Sequence, residues 1–197
     1  MAKIKICGCR SEADIAIVNE TKPDYIGFIL NYPKSFRSIS IDTLKQLKHK
    51  VDASIQVVGV FVDEKAEIVQ QCLEQGWIDY AQLHGHESQR YVKEIQKVGK
   101  VIQAFQIRTQ VDMNLAIQSC ADYILLDQGK GSGQSFDWSL LENLSRPFFL
   151  AGGIDEKNII QTQKYHPYAL DVSSAVETNR CKDKKKVEEI IRKGRTI

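Results

Sequence analysis

Apolar and polar residues alternate along the chain in two rhythms. Eight short apolar runs predict β-strands at residues 3–7, 25–30, 55–62, 80–83, 101–106, 123–126, 148–151 and 169–172. Between them, apolar residues recur near helical spacing and predict helices at residues 12–20, 41–48, 64–75, 88–97, 112–119, 138–144, 156–164 and 182–193. Such alternation is typical of βα units around a parallel sheet. Ser11 and Asp63 are predicted to begin helices as N-cap residues, and Gly76 to stop one.

The number of strands decides between two architectures. An open doubly wound sheet and a closed (β/α)8 barrel both alternate strands with helices, but eight strands without long insertions favour the barrel. The chain has 197 residues, close to the lower limit of about 200 for this fold, so we expect one domain spanning residues 1–197. In such barrels, functional residues lie on the loops after the C-terminal ends of the strands.

Composition and charge exclude several classes of function. The chain is 43% hydrophobic with a net charge of +2, which is typical of a soluble protein and provides no electrostatic basis for binding nucleic acid or a membrane. Because Lys3 and Lys5 interrupt a short apolar N-terminus, we expect no signal peptide and a cytoplasmic location. The five cysteines and four histidines lack paired or metal-ligand spacing, so neither disulfides nor a metal site are expected.

A thiol and a carboxylate follow two of the predicted strands. Cys7, next to Gly8, ends the first strand, and Asp127 follows the sixth. Taken alone, Cys7 is more simply a buried small side chain, and Asp127 a helix cap or a surface charge. Both nevertheless lie at the catalytic end of the predicted barrel, where a base and an acid on different strands can face one substrate.

Three later loops are rich in glycine and serine. They carry Gly131, Ser132 and Gly133 after strand six, Gly152 and Gly153 after strand seven, and Ser173 and Ser174 after strand eight. Glycine loops are commonly just tight turns, but backbone N–H groups and hydroxyls at this end of a barrel often bind phosphate. We therefore predict a phosphate site on these loops.

Two earlier loops offer further polar side chains. Arg37, after strand two, is suited to holding a substrate carboxylate with two hydrogen bonds, or else forms a surface salt bridge. Gln82 and His84 lie near the barrel mouth after strand four, where His84 either binds substrate or hydrogen-bonds to a neighbouring loop.

These residues fall within longer stretches at residues 5–8, 26–28, 35–40, 58–62, 82–87, 125–127, 131–133, 136–138, 150–154 and 171–174, with Glu177, Lys182 and Asp183 downstream. In this order, and over nearly the full chain, they resemble the phosphoribosylanthranilate isomerase family of tryptophan biosynthesis.

The resemblance implies a (β/α)8-barrel enzyme that performs an Amadori rearrangement of N-(5'-phosphoribosyl)anthranilate. By the family pattern, Asp127 is the general acid that opens the furanose ring and Cys7 is the base that removes the C2' proton. Arg37 would hold the anthranilate carboxylate, and the glycine and serine loops the phosphate. No metal or organic cofactor is needed, and the expected partner is the small-molecule substrate, bound by a monomer or a homodimer.

This chemistry requires unusual protonation states, because at neutral pH a free thiol is mostly protonated and a free aspartate is ionised. A partly dry pocket would favour the protonated acid, and the iminium charge of the substrate would favour the thiolate.

The chain also departs from the family pattern. Ala175 replaces the usual glycine after the two serines, Cys9 and Arg10 replace a hydrophobic residue and threonine, and the segment 179–181 replaces Pro-Gly-x. The methyl group of Ala175 either alters substrate affinity or is simply tolerated by the backbone, and the departures bear on the details of substrate binding while Cys7, Arg37 and Asp127 are retained.

Two rival functions remain open. A related barrel isomerase of histidine biosynthesis acts on a substrate with two phosphates, but it has an aspartate where this chain has Cys7 and a second phosphate loop after strand three. A non-catalytic barrel could retain the phosphate loops alone. The presence of both Cys7 and Asp127 argues against it.

Overall fold

The computed structural model describes residues 1–127, 141 and 144–196, and its centre is a closed barrel of eight parallel strands. The strands are β1 (Lys3–Cys7), β2 (Tyr25–Leu30), β3 (Gln56–Phe61), β4 (Tyr80–Leu83), β5 (Lys100–Gln106), β6 (Tyr123–Asp127), β7 (Phe148–Ala151) and β8 (Ala169–Val172). In register, Ile6 of β1 pairs with Ile26 of β2 and with Val172 of β8, so the sheet closes on itself. The predicted barrel is confirmed, and each predicted strand end lies within one residue of its observed position.

The helices pack around the outside of this barrel. They are α1 (Glu12–Thr21), α2 (Ile41–Lys48), α3 (Ala66–Glu74), α4 (Gln89–Ile95), α5 (Gln110–Gln118) and α6 (Lys184–Gly194). The predicted helix at 138–144 falls largely outside the described residues. Within the part of the chain that is described, no helix is long and apolar enough to cross a membrane.

The α-helix predicted at 156–164 is instead a 3-10 helix, Ile159–Tyr165. The hydroxyl of Thr162 donates to the carbonyl of Ile159, three residues earlier, at 2.6 Å. The segment then ends at His166, which has a left-handed backbone (φ 49°) directly before Pro167. The backbone bonds here also span three residues, from Gln161 to Asn158 and from His166 to Gln163, and a proline disfavours the α-helical backbone in the residue before it, so the helix stops there.

The predicted helix boundaries have mixed outcomes. Ser11 caps α1 as expected, in a reciprocal pair of hydrogen bonds with Asp14, and Gly76 has a left-handed backbone (φ 65°) just after α3. The prediction for Asp63 is wrong, because α3 begins after Lys65 and lacks a side-chain cap. Asp63 instead accepts a hydrogen bond from the backbone N–H of His86 at 2.6 Å and thereby ties the loops after β3 and β4 together.

Alternate residues of each strand point into the barrel, and the first of them form an aromatic floor. Tyr25, at the start of β2, contacts Tyr80 and Phe149 edge to face, with ring centroids 5.6 and 5.5 Å apart. Tyr123 and Tyr168 extend this cluster. The floor fills the N-terminal part of the barrel, so polar side chains further along the strands face its other end.

We expect Phe149→Ala to lower the free energy of unfolding by about 3–5 kcal/mol, because it removes a fully buried ring from the aromatic floor. Urea denaturation followed by circular dichroism measures the loss. Val111→Ala, at an exposed position of α5, is the control and should stay within about 0.5 kcal/mol of the unchanged protein. Equal stability of the two variants would contradict a role for the floor in holding the barrel together.

Candidate active site

A cavity of about 730 Å³ opens at the C-terminal end of the barrel. It brings together most of the side chains and glycines singled out in the sequence, namely Cys7, Arg37, Gln82, His84, Asp127, Gly152, Gly153, Ser173 and Ser174. Gly8 lies behind this wall with φ 80°, where the side chain of Arg37 packs against its α-carbon and leaves no space for a Cβ. Gly131, Ser132 and Gly133 lie outside the described residues.

Cys7 and Lys5 are neighbours on the inner face of β1. Both are buried, and the Lys5 ammonium donates to Oδ2 of Asp171 at 2.8 Å and to Oε1 of Gln82 at 2.9 Å. Gly27 of β2 makes room for them, because a Cβ there would lie 2.8 Å from the Cys7 sulfur and 3.2 Å from Nζ of Lys5. The thiol therefore sits beside a buried, paired ammonium.

The charges around Cys7 act in opposite directions. Burial raises the pKa of the Cys7 thiol, the Lys5 ammonium lowers it, and the Asp171 carboxylate raises it again, so that the net pKa lies above the ordinary value of 9.0. Burial alone would lower the pKa of Lys5, but Asp171 and Cys7 outweigh burial and raise that pKa. At neutral pH the Cys7 thiol is therefore protonated and Lys5 is an ammonium.

Asp127 ends β6 on the opposite side of this polar cluster from Lys5. Its Oδ2 lies 3.6 Å from Nε2 of His84, and Nδ1 of His84 lies 3.1 Å from Nε2 of Gln82. The Asp127 and His84 side chains are 27% and 35% exposed, so both remain accessible from the cavity. His84 thus connects Asp127 to Gln82.

Arg37 is paired with Glu177 in a short strand pair after β8, Glu177–Thr178 with Cys181–Lys182. Its Nε and Nη2 donate to the two carboxylate oxygens of Glu177, each at 2.7 Å. Lys182 also donates to Glu177, at 2.9 Å, and to the backbone carbonyls of Cys7 and Ser173 at 2.6 and 3.1 Å. This cluster joins the loops after β1, β2 and β8.

Burial alone would raise the pKa of Glu177, but the hydrogen bonds from Arg37 and Lys182 outweigh it and lower the pKa to about 2. Glu177 therefore remains ionised throughout the neutral range. The hydrogen bond to the Glu177 carboxylate in turn raises the pKa of Arg37.

The described parts of the loops predicted to bind phosphate have backbones that allow close approach of a ligand. Gly152 and Gly153 both have left-handed backbones, with φ of 83° and 68°. Ser174 is exposed and begins a 3-10 turn, Ser174–Val176, whereas the hydroxyl of Ser173 donates to the carbonyl of Cys7 at 3.1 Å. Ala175 lies in this turn without a positive φ, so a methyl group is tolerated where the family usually has glycine.

The other departure from the family pattern forms a tight turn. Asn179 and Arg180 have φ of 51° and 64° and connect the two short strands that carry Glu177 and Lys182. Consecutive left-handed residues are what a two-residue hairpin turn requires. The guanidinium groups of Arg180 and Arg37 both lie over the Phe36 ring, with their central carbons 5.1 and 4.2 Å from the ring centroid.

Four charged residues that the structure places at the site, Lys5, Asp171, Glu177 and Lys182, lie in the stretches that resemble the family but were assigned no role from the sequence. Strand alternation contained a signal for the first two, because Lys5 shares a face with Cys7, and Asp171 with Ser173. Of the three consecutive lysines at 184–186, Lys184 pairs with the surface glutamates Glu20 and Glu188, whereas Lys186 lines the cavity and donates to the carbonyl of Glu177.

A closed parallel barrel with a cavity lined by ionisable side chains at the C-terminal ends of its strands is the architecture of a (β/α)8-barrel enzyme. The N-(5'-phosphoribosyl)anthranilate isomerase family model matches residues 4–193. The isomerases of Endomicrobium trichonymphae and Clostridium kluyveri are each 38% identical to this chain, over 100% of both chains in each comparison. The chain belongs to the N-(5'-phosphoribosyl)anthranilate isomerase family, whose members are isomerases of tryptophan biosynthesis.

Solved structures agree with this assignment. The isomerase from Thermotoga maritima superposes with a TM-score of 0.91 at 31% identity. A phosphoribosyl anthranilate isomerase in complex with reduced 1-(o-carboxyphenylamino)-1-deoxyribulose 5-phosphate superposes with a TM-score of 0.90 at 30% identity. Both comparisons cover 100% of both chains. Generated monomers of the dimeric Thermotoga maritima protein match as well, with a TM-score of 0.88. Whether this chain is a monomer or a homodimer stays a prediction.

The Glu177 cluster should make stability depend on pH in acid. Because the pKa of Glu177 falls from 4.5 to about 2 on folding, its contribution is present above pH 4.5 and is lost as the pH falls toward 2. The difference in free energy of unfolding between the wild type and Glu177→Gln should shrink by about 2 kcal/mol from pH 5 to pH 3. Urea denaturation at both values measures it, and a difference that does not change with pH would contradict the low pKa.

Proposed function

We propose that this chain converts N-(5'-phosphoribosyl)anthranilate into 1-(2-carboxyphenylamino)-1-deoxyribulose 5-phosphate, with Asp127 as general acid and Cys7 as general base. The observation that carries the proposal is that a thiol on β1 and a carboxylate on β6 line the same cavity. A family member solved with the reduced product analogue supports it, because that ligand bears one carboxylate and one phosphate.

The first step opens the sugar ring. Protonated Asp127 donates its proton to the furanose oxygen, the bond from that oxygen to C1' breaks, and the nitrogen lone pair forms an iminium double bond to C1'. The carboxylate that remains on Asp127 lies 3.6 Å from Nε2 of His84, which is positioned to stabilise it.

The second step removes the C2' proton. The Cys7 thiolate accepts this proton, and the electron pair of the C–H bond forms the C1'–C2' double bond and neutralises the iminium. Because burial raises the pKa of the free thiol, the positive charges of the iminium and of Lys5 supply the stabilisation that the thiolate needs. The enolamine then gains a proton at C1' and loses the proton of its C2' hydroxyl, so the whole reaction is an isomerisation without oxidant or reductant.

The two ends of the substrate are anionic, and each has a matching part of the cavity. Gly152, Gly153 and Ser174 are proposed to bind the phosphate through backbone N–H groups and the Ser174 hydroxyl. Arg37 is proposed to bind the anthranilate carboxylate through the edge of its guanidinium that faces away from Glu177. Glu177 then serves to hold that guanidinium in one orientation.

The structure also bears on the rival isomerase with a two-phosphate substrate. The loop after β3 would have to provide a second phosphate site, but there Asp63 and Glu87 bind backbone N–H groups with their carboxylates. Acidic side chains at this position disfavour a phosphate dianion. We therefore favour the substrate with one phosphate.

Loss of anthranilate-adduct fluorescence tests the activity directly. We expect turnover by the wild type, and a decrease in kcat of about 100-fold or more for both Cys7→Ser and Asp127→Asn, because each removes one proton-transfer group. Cys181→Ser, at an exposed thiol, is the matched control for the cysteine change and should retain wild-type kcat. A wild type without turnover would rule out the activity, and unchanged kcat in either variant would rule out the assigned role.

The pH profile tests the protonation states. Raising the pH by one unit makes about ten times more thiolate but about ten times less carboxylic acid, so the two effects cancel wherever the carboxyl is mostly ionised and the thiol mostly protonated. Since the pKa of Cys7 is raised above 9.0, the free thiol stays mostly protonated from pH 7 to 9, and its ionisation should contribute no fall in kcat/KM over that range. A steady fall beginning at pH 7 would show that the thiol is already ionised there.

A further inference from the structure

A continuous chain of polar contacts crosses the barrel and ends at the proposed acid. It runs from Asp171 to Lys5 at 2.8 Å, from Lys5 to Gln82 at 2.9 Å, from Gln82 to His84 at 3.1 Å, and from His84 to Asp127 at 3.6 Å. The proposed reaction uses Asp127 directly. It assigns no role to the contact between Lys5 and Gln82.

The charge state of Lys5 sets the direction of these hydrogen bonds. Lys5 is fully buried and paired with Asp171, whose other oxygen, Oδ1, is buried without a hydrogen-bond partner among the described residues. A buried carboxylate with so few partners requires the ammonium form of Lys5 beside it. An ammonium can only donate hydrogen bonds, so Gln82 must present its oxygen to Lys5.

The orientation of Gln82 in turn determines the orientation of His84. With Oε1 facing Lys5, the Nε2 amide of Gln82 faces His84 and donates to Nδ1. A neutral imidazole that accepts at Nδ1 carries its single proton on Nε2, and this nitrogen faces Asp127.

We propose that Lys5, acting through Gln82, holds His84 in the Nε2-protonated tautomer, so that an N–H of His84, and not a lone pair, faces the Asp127 carboxyl. In catalysis this N–H would stabilise the carboxylate that forms when Asp127 gives its proton to the substrate. In the opposite tautomer, a nitrogen lone pair would face that carboxylate and repel it. Lys5 and Gln82 are thus positioning residues. The tautomer itself is independent of the activity, whereas its catalytic use rests on the proposed function.

The tautomer can be read without any activity measurement. Long-range ¹H–¹⁵N correlation spectra of protein labelled with ¹⁵N-histidine distinguish protonated from unprotonated ring nitrogens, and His84→Asn identifies the His84 signals among those of the four histidines. We expect a protonated Nε2 and an unprotonated Nδ1 in the wild type. A proton on Nδ1 would overturn the proposal without recourse to any other variant.

Substitutions at Gln82 and Lys5 test whether these two residues set the tautomer of His84. Gln82→Glu replaces the donating amide with an accepting carboxylate and should move a proton onto Nδ1. Gln82→Met and Lys5→Met, which are close in size to the native side chains, should leave a mixture of tautomers. The matched control is Gln103→Glu, which changes a buried glutamine on the neighbouring strand β5 that hydrogen-bonds to Gln89, Ser119 and Glu87. An Nε2-protonated tautomer that persists in folded Gln82 or Lys5 variants would overturn the proposal.

Measurements of kcat and KM test whether the tautomer of His84 contributes to catalysis. With the spectra as expected, Gln82→Glu should lower kcat about 10- to 100-fold and change KM less than about 3-fold, because it alters the acid and not the groups that bind the substrate. Gln103→Glu should leave kcat unchanged. A changed tautomer with unchanged kcat would refute the catalytic use, and an inactive wild type with the expected spectra would refute the proposed function but leave the tautomer assignment standing.

Discussion

The ammonium of Lys5 is the charge on which the rest of the site depends. Removing an ammonium from water costs several kcal/mol unless a counter-charge and further hydrogen bonds replace the lost hydration. Here Asp171 of β8 supplies the counter-charge and Gln82 of β4 supplies the hydrogen bond. The contacts that stabilise this ammonium therefore connect strands β1, β4 and β8. They also hold the ammonium beside the sulfur of Cys7 and orient the Gln82 amide that faces His84.

A second set of charges holds the rim of the cavity. Glu177 binds Arg37 and Lys182, and Lys182 also binds the carbonyls of Cys7 and Ser173. These contacts connect the loops after β1, β2 and β8, so the proposed base, carboxylate clamp and phosphate loop are held relative to one another. The aromatic floor around the fully buried Phe149 closes the N-terminal end of the barrel. Charge pairs thus form the walls, and apolar packing forms the floor, of the cavity in which the proposed substrate would place its two anionic ends.

The strands were predictable because the barrel buries both of their faces, and a run of apolar residues is the signal that such burial leaves in a sequence. Helix boundaries depended on contacts that a local pattern does not contain. Asp63 has the residue type of a helix cap, yet it binds the backbone of His86 from the next loop. Likewise, residues 156–164 have helical spacing, but residues 159–165 form a 3-10 helix that ends at the left-handed His166 before Pro167.

The sequence by itself determined the barrel, the family, and the positions of Cys7 and Asp127 at strand ends, because strand periodicity and motif order are local properties of a chain. Only the tertiary structure decided which charges meet. Arg37 and Glu177 are separated by 140 residues, and Lys5 and Asp171 by 166, yet each pair is joined by hydrogen bonds. A closed barrel makes its first and last strands neighbours, so the partner of a charged side chain, its pKa and the direction of its hydrogen bonds follow from closure and not from spacing along the chain.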